Sequence, residues 1–232
     1  MPASRLSLYN KKRDFGVTSE PPGRIGAKAG KKLRFVIQRH AATRLHFDLR
    51  LELDGVYKSW AVTKPPSPDP ATRRLAVEVE DHPVSYANFE GDIEHGYGKG
   101  HVDQFDTGVW TTEGDAAAQL QKGHLRFELF GKRLKGGWHL VRSGRRERQP
   151  AWFLIKAKDA FAGDVEADDL LDAKMARSTR AAAKTPATRA AAKKSVARKK
   201  PVPKAGKAPR LRLARAAAAL EGARAATVDN AF

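Results

Sequence analysis

Two histidines and an aspartate lie close together in the sequence, in a segment that could bind a metal ion. From His46 onward polar and apolar residues alternate strictly, which is typical of a β-strand, so His46, Asp48 and Arg50 share one face. Residues 41–45 are few enough to form one tight turn, which would bring His40 back over that face. Two neutral imidazoles and a carboxylate are a common ligand set for divalent transition metals. The pattern therefore predicts a metal site, and zinc and manganese both suit it.

Arg50 adds a second chemical property to this predicted site. Burying a guanidinium beside a metal is unfavourable unless an anion binds there, and phosphate is the simplest such anion. Other basic residues nearby, such as Arg39 and Arg44, are more typical of solvated faces. His82 is either a loop residue with no chemical role or a site histidine whose protonation state serves phosphoryl transfer. A lone histidine is more often structural than a ligand, so the hypothesis depends on the whole set.

The rest of the chain predicts an all-β domain that would position these residues. Asp54-Gly55 is a strong hairpin signal, and residues 115–121 predict a short helix. Strand patterns occur in eight segments, which are 33–38, 46–53, 56–64, 75–80, 101–105, 124–130, 137–142 and 151–158. About eight short strands with turn signals between them predict a compact, closed or nearly closed β-barrel with short helical turns.

Composition divides the chain into four predicted segments. They are an N-terminal arm that packs onto the catalytic domain (1–32), the barrel domain (33–160), a linker (161–174) and a disordered basic tail (175–232). We expect the arm to deliver Arg13, Asp14 and Glu20 to the site. The tail has 15 Lys or Arg and 2 Asp or Glu, a net +13 of the +18 of the whole chain. Its charge favours a nucleic-acid-binding arm over a merely solubilising extension, or over a membrane-binding segment, which would need an amphipathic face.

Several classes of protein are excluded by what the sequence lacks. Without cysteine there can be no disulfide, thiolate zinc site or cysteine nucleophile. The phosphate-loop, nucleophile-elbow and dinucleotide-binding motifs are also absent from the sequence. The N-terminal residues have no apolar core of signal-peptide length, and no run approaches a membrane span, so we expect a cytoplasmic protein that does not bind membranes.

An ordered series of motifs between about residue 9 and residue 159 resembles the 3′-phosphoesterase module of bacterial DNA ligase D, an end-processing domain of non-homologous end joining. The motifs are Lys12-Arg13-Asp14-Phe15, Phe35-Val36-Ile37-Gln38-Arg39-His40, Arg44-Leu45-His46-Phe47-Asp48-Leu49-Arg50-Leu51-Glu52, Ser59-Trp60-Ala61-Val62, Glu80-Asp81-His82-Pro83 and Phe89-Glu90-Gly91. The resemblance implies an enzyme that removes a 3′-terminal ribonucleoside from DNA and then removes the remaining 3′-phosphate to leave a 3′-hydroxyl.

The resemblance also implies roles for individual residues. The metal ligands are His40, His46 and Asp48, and the metal is Mn²⁺, with Zn²⁺ or Co²⁺ as alternatives. The catalytic residues that the resemblance implies are Arg13, Asp14, Glu20, Gln38, Arg50, His82 and Tyr86. The two arginines among them are expected to contact phosphate. Peripheral substrate contacts fall on Lys64 and Arg74. The sequence departs from the family in loops, for example at Thr63-Lys64-Pro65, and none of these departures touches the metal set.

The expected partners are DNA or DNA/RNA 3′ ends, together with a DNA ligase and Ku. Polymerase and ligase motifs are absent from the sequence, so we expect a free-standing, monomeric protein associated with the bacterial nucleoid. Two alternatives remain open at this point. One is a non-catalytic DNA-binding protein that acts through its basic tail, and the other is a barrel enzyme that acts on a different phosphoester.

Overall fold

The computed structural model describes residues 4–26, 32–144 and 149–163. Its elements in chain order are α1 (Ser7–Lys11), β1 (Leu33–Ala41), β2 (Leu45–Leu53), β3 (Val56–Val62), β4 (Arg73–Pro83), a 3₁₀ helix (Val84–Asn88), β5 (Gly91–Ile93), β6 (Gly100–Thr111), α2 (Ala116–Lys122), β7 (His124–Gly131), β8 (Lys135–Arg142) and β9 (Ala151–Lys156). The predicted basic tail and most of the predicted linker lie outside the described residues. Within the described residues, no helix is long and apolar enough to cross a membrane.

Eight of the nine strands in the described residues close into an antiparallel barrel. The strand order is β1-β2-β3-β4-β9-β8-β7-β6, and β6 pairs with β1 to complete the ring. The short strand β5 pairs with the first residues of β6 as a ninth strand. The structure therefore confirms the predicted all-β class and the closed barrel of about eight strands. Closure removes the exposed sheet edges that an open sheet of this size would leave.

The interior of the barrel is filled with large apolar side chains. Phe47, Leu49 and Leu51 alternate along β2 and enter the core. All four tryptophans join them and are almost completely buried: Trp60, Trp110, Trp138 and Trp152. Because successive side chains on a strand point to opposite faces, His46, Asp48 and Arg50 lie on the outer wall. The apolar packing therefore leaves the polar face of β2 outside the barrel.

Turns and caps fix the register of the barrel. Asp54 and Gly55, which join β2 to β3, both have positive φ (52° and 79°), as a two-residue hairpin turn requires. Asp115 caps α2 by accepting from the backbone N–H of Ala117 and Ala118. The buried carboxylate of Asp106 holds the β7–β8 turn. It accepts hydrogen bonds of 2.8–3.2 Å from three backbone N–H groups of the turn, those of Lys132, Arg133 and Leu134.

The N-terminal residues lie against the outer wall near the β2–β3 turn. Leu6 and Tyr9 are fully buried in a small apolar cluster with Val56 and Tyr86. The Gly26 N–H donates to the Gly55 carbonyl at 2.9 Å, and so ties residues 4–26 to the hairpin. Several elements differ from the sequence predictions: β1 continues to Ala41, β4 to Pro83 and β6 to Thr111, and neither α1 nor β5 was predicted.

Candidate metal centre

The β1–β2 hairpin brings the three predicted metal ligands together on the outer wall. In its register His40 faces His46 and Gln38 faces Asp48. Directly opposite residues of an antiparallel pair lie on the same face, so all four side chains meet. His40 Nδ1 lies 3.7 Å from one carboxylate oxygen of Asp48, and His46 Nε2 lies 3.6 Å from the other. One donor atom from each of the three residues falls within 4.8 Å of the others, which is compact enough to hold one metal ion.

Backbone carbonyls orient the two imidazole rings. His40 Nε2 donates to the Gly98 carbonyl at 2.8 Å, and His46 Nδ1 donates to the Arg44 carbonyl at 2.8 Å. A carbonyl oxygen can only accept, so each ring carries its proton on that nitrogen when neutral. The other nitrogen of each ring then presents a lone pair toward Asp48. Such outward hydrogen bonds are the usual support of metal-binding histidines, and the donor set therefore fits a divalent transition metal.

Arg50 lies beside this set and is held by three hydrogen bonds. Its guanidinium donates to Asp48 at 2.9 Å, to Gln38 at 2.9 Å and to Ser59 at 3.1 Å. The guanidinium carbon also lies 4.6 Å from the ring centre of Tyr86. Burial favours a higher pKa for the Asp48 carboxyl, but the charge of Arg50 and the contacts with the imidazoles outweigh burial and hold that pKa below its ordinary value. The Asp48 carboxylate is therefore anionic over the whole physiological pH range.

The N-terminal arm places a second guanidinium over the same region. Arg13 donates to Glu20 at 2.9 Å and to Glu80 at 3.0 Å, and all three side chains are almost fully buried. Lys12 also donates to Glu80, at 2.9 Å. Burial works to raise the pKa of Glu80, but the hydrogen bonds from Lys12 and Arg13 outweigh it and lower that pKa. Sequence reasoning identified Arg13 and Glu20 but missed Glu80 and Lys12, although both lie within motifs that it had singled out.

His82 lies at the end of β4, not in the loop that the sequence suggested. Its Nδ1 donates to the Glu80 carbonyl at 2.9 Å, which leaves the Nε2 lone pair to accept from Arg13 at 3.3 Å. Burial, with the nearby charges of Arg50 and Arg13, lowers the pKa of His82 well below its ordinary value. The ring is therefore neutral at physiological pH and offers a lone pair at Nε2.

Two further predicted residues connect the metal ligands to the arm. Tyr86, on the 3₁₀ helix, donates its hydroxyl to Glu20 at 2.9 Å, and burial raises its pKa well above the ordinary value. Gln38 accepts from Arg50 and donates to the carbonyls of Tyr86 and Phe89 at 3.2 and 2.8 Å. Gln38 thus fixes the 3₁₀ helix relative to Arg50.

These residues enclose a cleft of about 250 Å³, called here the metal cleft. The polar side chains that line it are Arg13, Glu20, His40, His46, Asp48, Arg50, Glu80, His82, Tyr86 and Tyr97. Asp14 lines a smaller neighbouring cleft of about 150 Å³, called here the second cleft, with Lys12 and Thr18 among its other walls. Lys64 is exposed and Arg74 donates to the Pro65 carbonyl, and neither lines either cleft.

The fold and the site define a β-barrel domain with a candidate divalent-metal centre on its outer wall, flanked by two buried arginines. Residues 38–142 match the family described as the DNA Ligase D 3'-phosphoesterase domain. The matched residues belong to this family, which confirms the family predicted from the motifs.

Two similar proteins support the same family assignment. The chain is 52% identical to the multifunctional non-homologous end joining protein LigD of Pseudomonas aeruginosa over 174 residues, which cover 74% of this chain and 21% of that protein. It is 41% identical to the multifunctional non-homologous end joining DNA repair protein LigD of Mycobacterium tuberculosis over 142 residues, which cover 61% of this chain and 19% of that protein. The chain thus spans about a fifth of the length of these relatives.

Proposed function

We propose that this domain is a metal-dependent 3′-phosphoesterase that processes DNA ends for repair by non-homologous end joining. It removes a 3′-terminal ribonucleoside and then the 3′-phosphate, and leaves a 3′-hydroxyl. The observation that carries the proposal is the convergence of two imidazole lone pairs and the Asp48 carboxylate beside the buried guanidinium of Arg50. This is a constellation suited to a metal ion and a phosphate side by side.

The charge balance of the cleft supports a requirement for the metal. Three carboxylates, those of Glu20, Asp48 and Glu80, offset the three cations Lys12, Arg13 and Arg50, and all six lie in one hydrogen-bonded region. A phosphate dianion therefore gains little net attraction from the protein alone. A divalent ion on His40, His46 and Asp48 would supply the missing positive charge and act as a Lewis acid on a phosphate oxygen. We favour Mn²⁺ for this mixed imidazole and carboxylate set, with Zn²⁺ or Co²⁺ as alternatives.

The arginines and His82 have separate roles in this proposal. Arg13 and Arg50 bind the non-bridging phosphate oxygens and neutralise charge that develops on them in the transition state. His82 is neutral, and its Nε2 accepts from Arg13 in this structure. When Arg13 turns to the phosphate, this lone pair is released and takes a proton from the attacking water. Glu20, Gln38 and Tyr86 hold the arginines and the 3₁₀ helix in place and are positioning residues.

The test is hydrolysis of a primer–template duplex whose primer ends in a 3′-phosphate, with a titration of Mn²⁺. We expect release of inorganic phosphate that depends on the metal, and loss of activity to background in His40→Ala, His46→Ala and Asp48→Ala. His101→Ala is the matched control, because His101 contacts two carboxylates but does not line the metal cleft. Full activity in the three ligand variants would refute the metal assignment.

Two further substrates separate the remaining functional hypotheses. A primer that ends in a single ribonucleotide tests removal of the nucleoside, and a duplex with a 5′-phosphate tests whether the enzyme acts on other phosphoesters. DNA binding that depends on salt, occurs without turnover and disappears on truncation after residue 174 would favour the non-catalytic alternative.

The domain boundaries and partners belong to the same proposal. Residues 1–32 contribute Arg13 and Glu20 to the cleft, so we place the arm within the catalytic unit. The basic tail, 175–232, is proposed to bind nucleic acid, and a DNA ligase and Ku are proposed to act with this protein on the same ends. Lys64 and Arg74 are retained as candidate contacts to more distant parts of the DNA.

A further inference from the structure

The metal cleft lies beside the second cleft, and the two share three wall residues. Arg13, Glu20 and Tyr97 line both of them. The metal cleft holds the ligand set and both arginines, whereas the second cleft is smaller and has no metal ligand among its walls. A ligand that binds at the metal through one group would therefore place an attached group near Tyr97, which borders both clefts.

Tyr97 differs from the other tyrosines of the chain in its exposure. Of the four tyrosines, Tyr9, Tyr57 and Tyr86 are at most 2% exposed, whereas Tyr97 is 46% exposed. It lies between Gly96 and Gly98, which have φ of 79° and 83°, in a tight bend that few other residues would adopt. The bend therefore presents an aromatic ring at the border of the two clefts.

The ring is held in place and keeps part of its surface free. Lys12 Nζ donates to the Tyr97 hydroxyl at 3.2 Å and lies 4.4 Å from the centre of the ring. The same ammonium group donates to the buried Glu80 at 2.9 Å. Next to Tyr97, the Gly98 carbonyl accepts from the metal ligand His40. The position of the ring is thus fixed relative to the metal centre by two short connections.

We propose that Tyr97 is a stacking platform for the nucleobase of the 3′-terminal nucleotide, and that the second cleft receives this base. The inference rests on the proposed function, because the phosphate of that nucleotide is the group at the metal. A base stacks on an exposed aromatic ring whatever its identity, since every base has a π face. Tyr97 should therefore favour a nucleotide that carries a base over an abasic one, with little preference among the four bases.

Equilibrium binding tests this inference without turnover. The probe is a fluorescent duplex whose recessed strand ends in a 3′-methylenephosphonate, a phosphate analogue that resists hydrolysis, with Mn²⁺ present. One version carries a base on the terminal nucleotide and the other carries a tetrahydrofuran abasic residue. We expect the wild-type protein to bind the first about tenfold more tightly than the second, as one stacked base would give. Tyr97→Ala should lose this ratio, and Tyr97→Phe, which keeps the ring, should retain it.

Phe130→Ala is the matched control, since Phe130 is 51% exposed but lines neither of these clefts. It should leave the ratio of the two affinities unchanged. An equal loss on both probes in Tyr97→Ala would show that the residue acts only through the loop that orients His40, and would overturn the inference. So would a ratio near one in the wild-type protein.

The outcomes also separate this inference from the proposed function. If the wild-type protein fails to hydrolyse a 3′-phosphate in Mn²⁺, the proposed function is wrong, yet a ratio that depends on Tyr97 would still establish the base site. If hydrolysis occurs and the ratio is absent, the function stands and the base site is refuted.

Discussion

The replacement Arg50→Lys tests whether the fork of the guanidinium, and not only its charge, holds the site together. Arg50 is almost fully buried and donates to three different side chains: Gln38, Asp48 and Ser59. A lysine ammonium on an unbranched stem can keep the bond to Asp48 but cannot reach the other two acceptors at once. Each buried acceptor left without its donor costs about 1–3 kcal/mol, so Arg50→Lys should lower the free energy of unfolding by about 2–6 kcal/mol.

Urea unfolding of the wild type and the variant measures this difference. Arg34→Lys is the matched control, because Arg34 is also on a strand and pairs with a carboxylate, Glu52, at 3.0 Å, but its side chain is 52% exposed. Glu52 is buried but also accepts from the backbone N–H of Arg34, and lysine keeps the charge beside it, so the control should cost at most about 1 kcal/mol. The same samples report 3′-phosphatase activity, which should fall in Arg50→Lys and not in Arg34→Lys. Equal stability of the two variants would refute the reasoning.

Three further perturbations address the metal, the barrel and pH. At a Mn²⁺ concentration a hundred times its Kd, the metal should stabilise the wild type by about 2.7 kcal/mol, and His46→Ala should abolish the accompanying rise in Tm. Asp106→Asn puts an amide group against backbone N–H donors that the carboxylate accepts, and should cost about 2–4 kcal/mol in urea unfolding. The lowered pKa of His82 means that the unfolded chain takes up a proton near pH 6.5 and the folded chain does not. The free energy of unfolding should therefore be unaffected by His82 above that pH and fall below it, by up to about 1.4 kcal/mol per pH unit, and His82→Asn should reduce the slope.

Each of these perturbations has a control in the same chain. His101→Ala should keep the rise in Tm with Mn²⁺, because His101 is outside the metal cleft. Asp115→Asn should be nearly neutral, since asparagine caps a helix about as well as aspartate. For the pH slope the control is the wild-type protein itself, because groups that titrate in both proteins cancel when His82→Asn is compared with it. An unchanged slope in His82→Asn, or a costly Asp115→Asn, would contradict the corresponding argument.

Local patterns in the sequence were sufficient to predict the fold class. Alternation along 46–53 and the Asp54-Gly55 turn define one hairpin, and repeated short strands with turn signals point to a barrel. The missed elements are those whose formation depends on tertiary contacts. Strand β5 has only three residues and pairs with β6 alone, and α1 is a five-residue helix whose buried residue, Tyr9, packs in a cluster with Val56 and Tyr86. Neither has enough local pattern to be identified without its neighbours.

Residue spacing in the sequence predicted only the part of the candidate site that lies on one hairpin. His40, His46 and Asp48 are within nine residues of each other, so strand geometry alone brings them together. Glu80 and Tyr97 reach the arm only through tertiary packing. Glu80 is 67 residues from its partner Arg13, and Tyr97 is 85 residues from its partner Lys12. Spacing along the sequence has no information about such contacts. His82 was open to two interpretations for the same reason, because its role depends on the arginine that the arm places against it.

The position of the site on the outer wall explains why a small barrel needs an N-terminal arm. The interior is filled by four tryptophans and the apolar residues that pack on them, so the polar faces of β1 and β2 can be buried only from outside. The arm and the 3₁₀ helix provide that cover, and they also bring Arg13, Glu20 and Tyr86 into one hydrogen-bonded group. Burial of this kind strengthens the charge interactions that the proposed phosphate binding would use. Removal of the arm should therefore expose Asp48 and Arg50 to water and weaken the site even though every metal ligand remains in place.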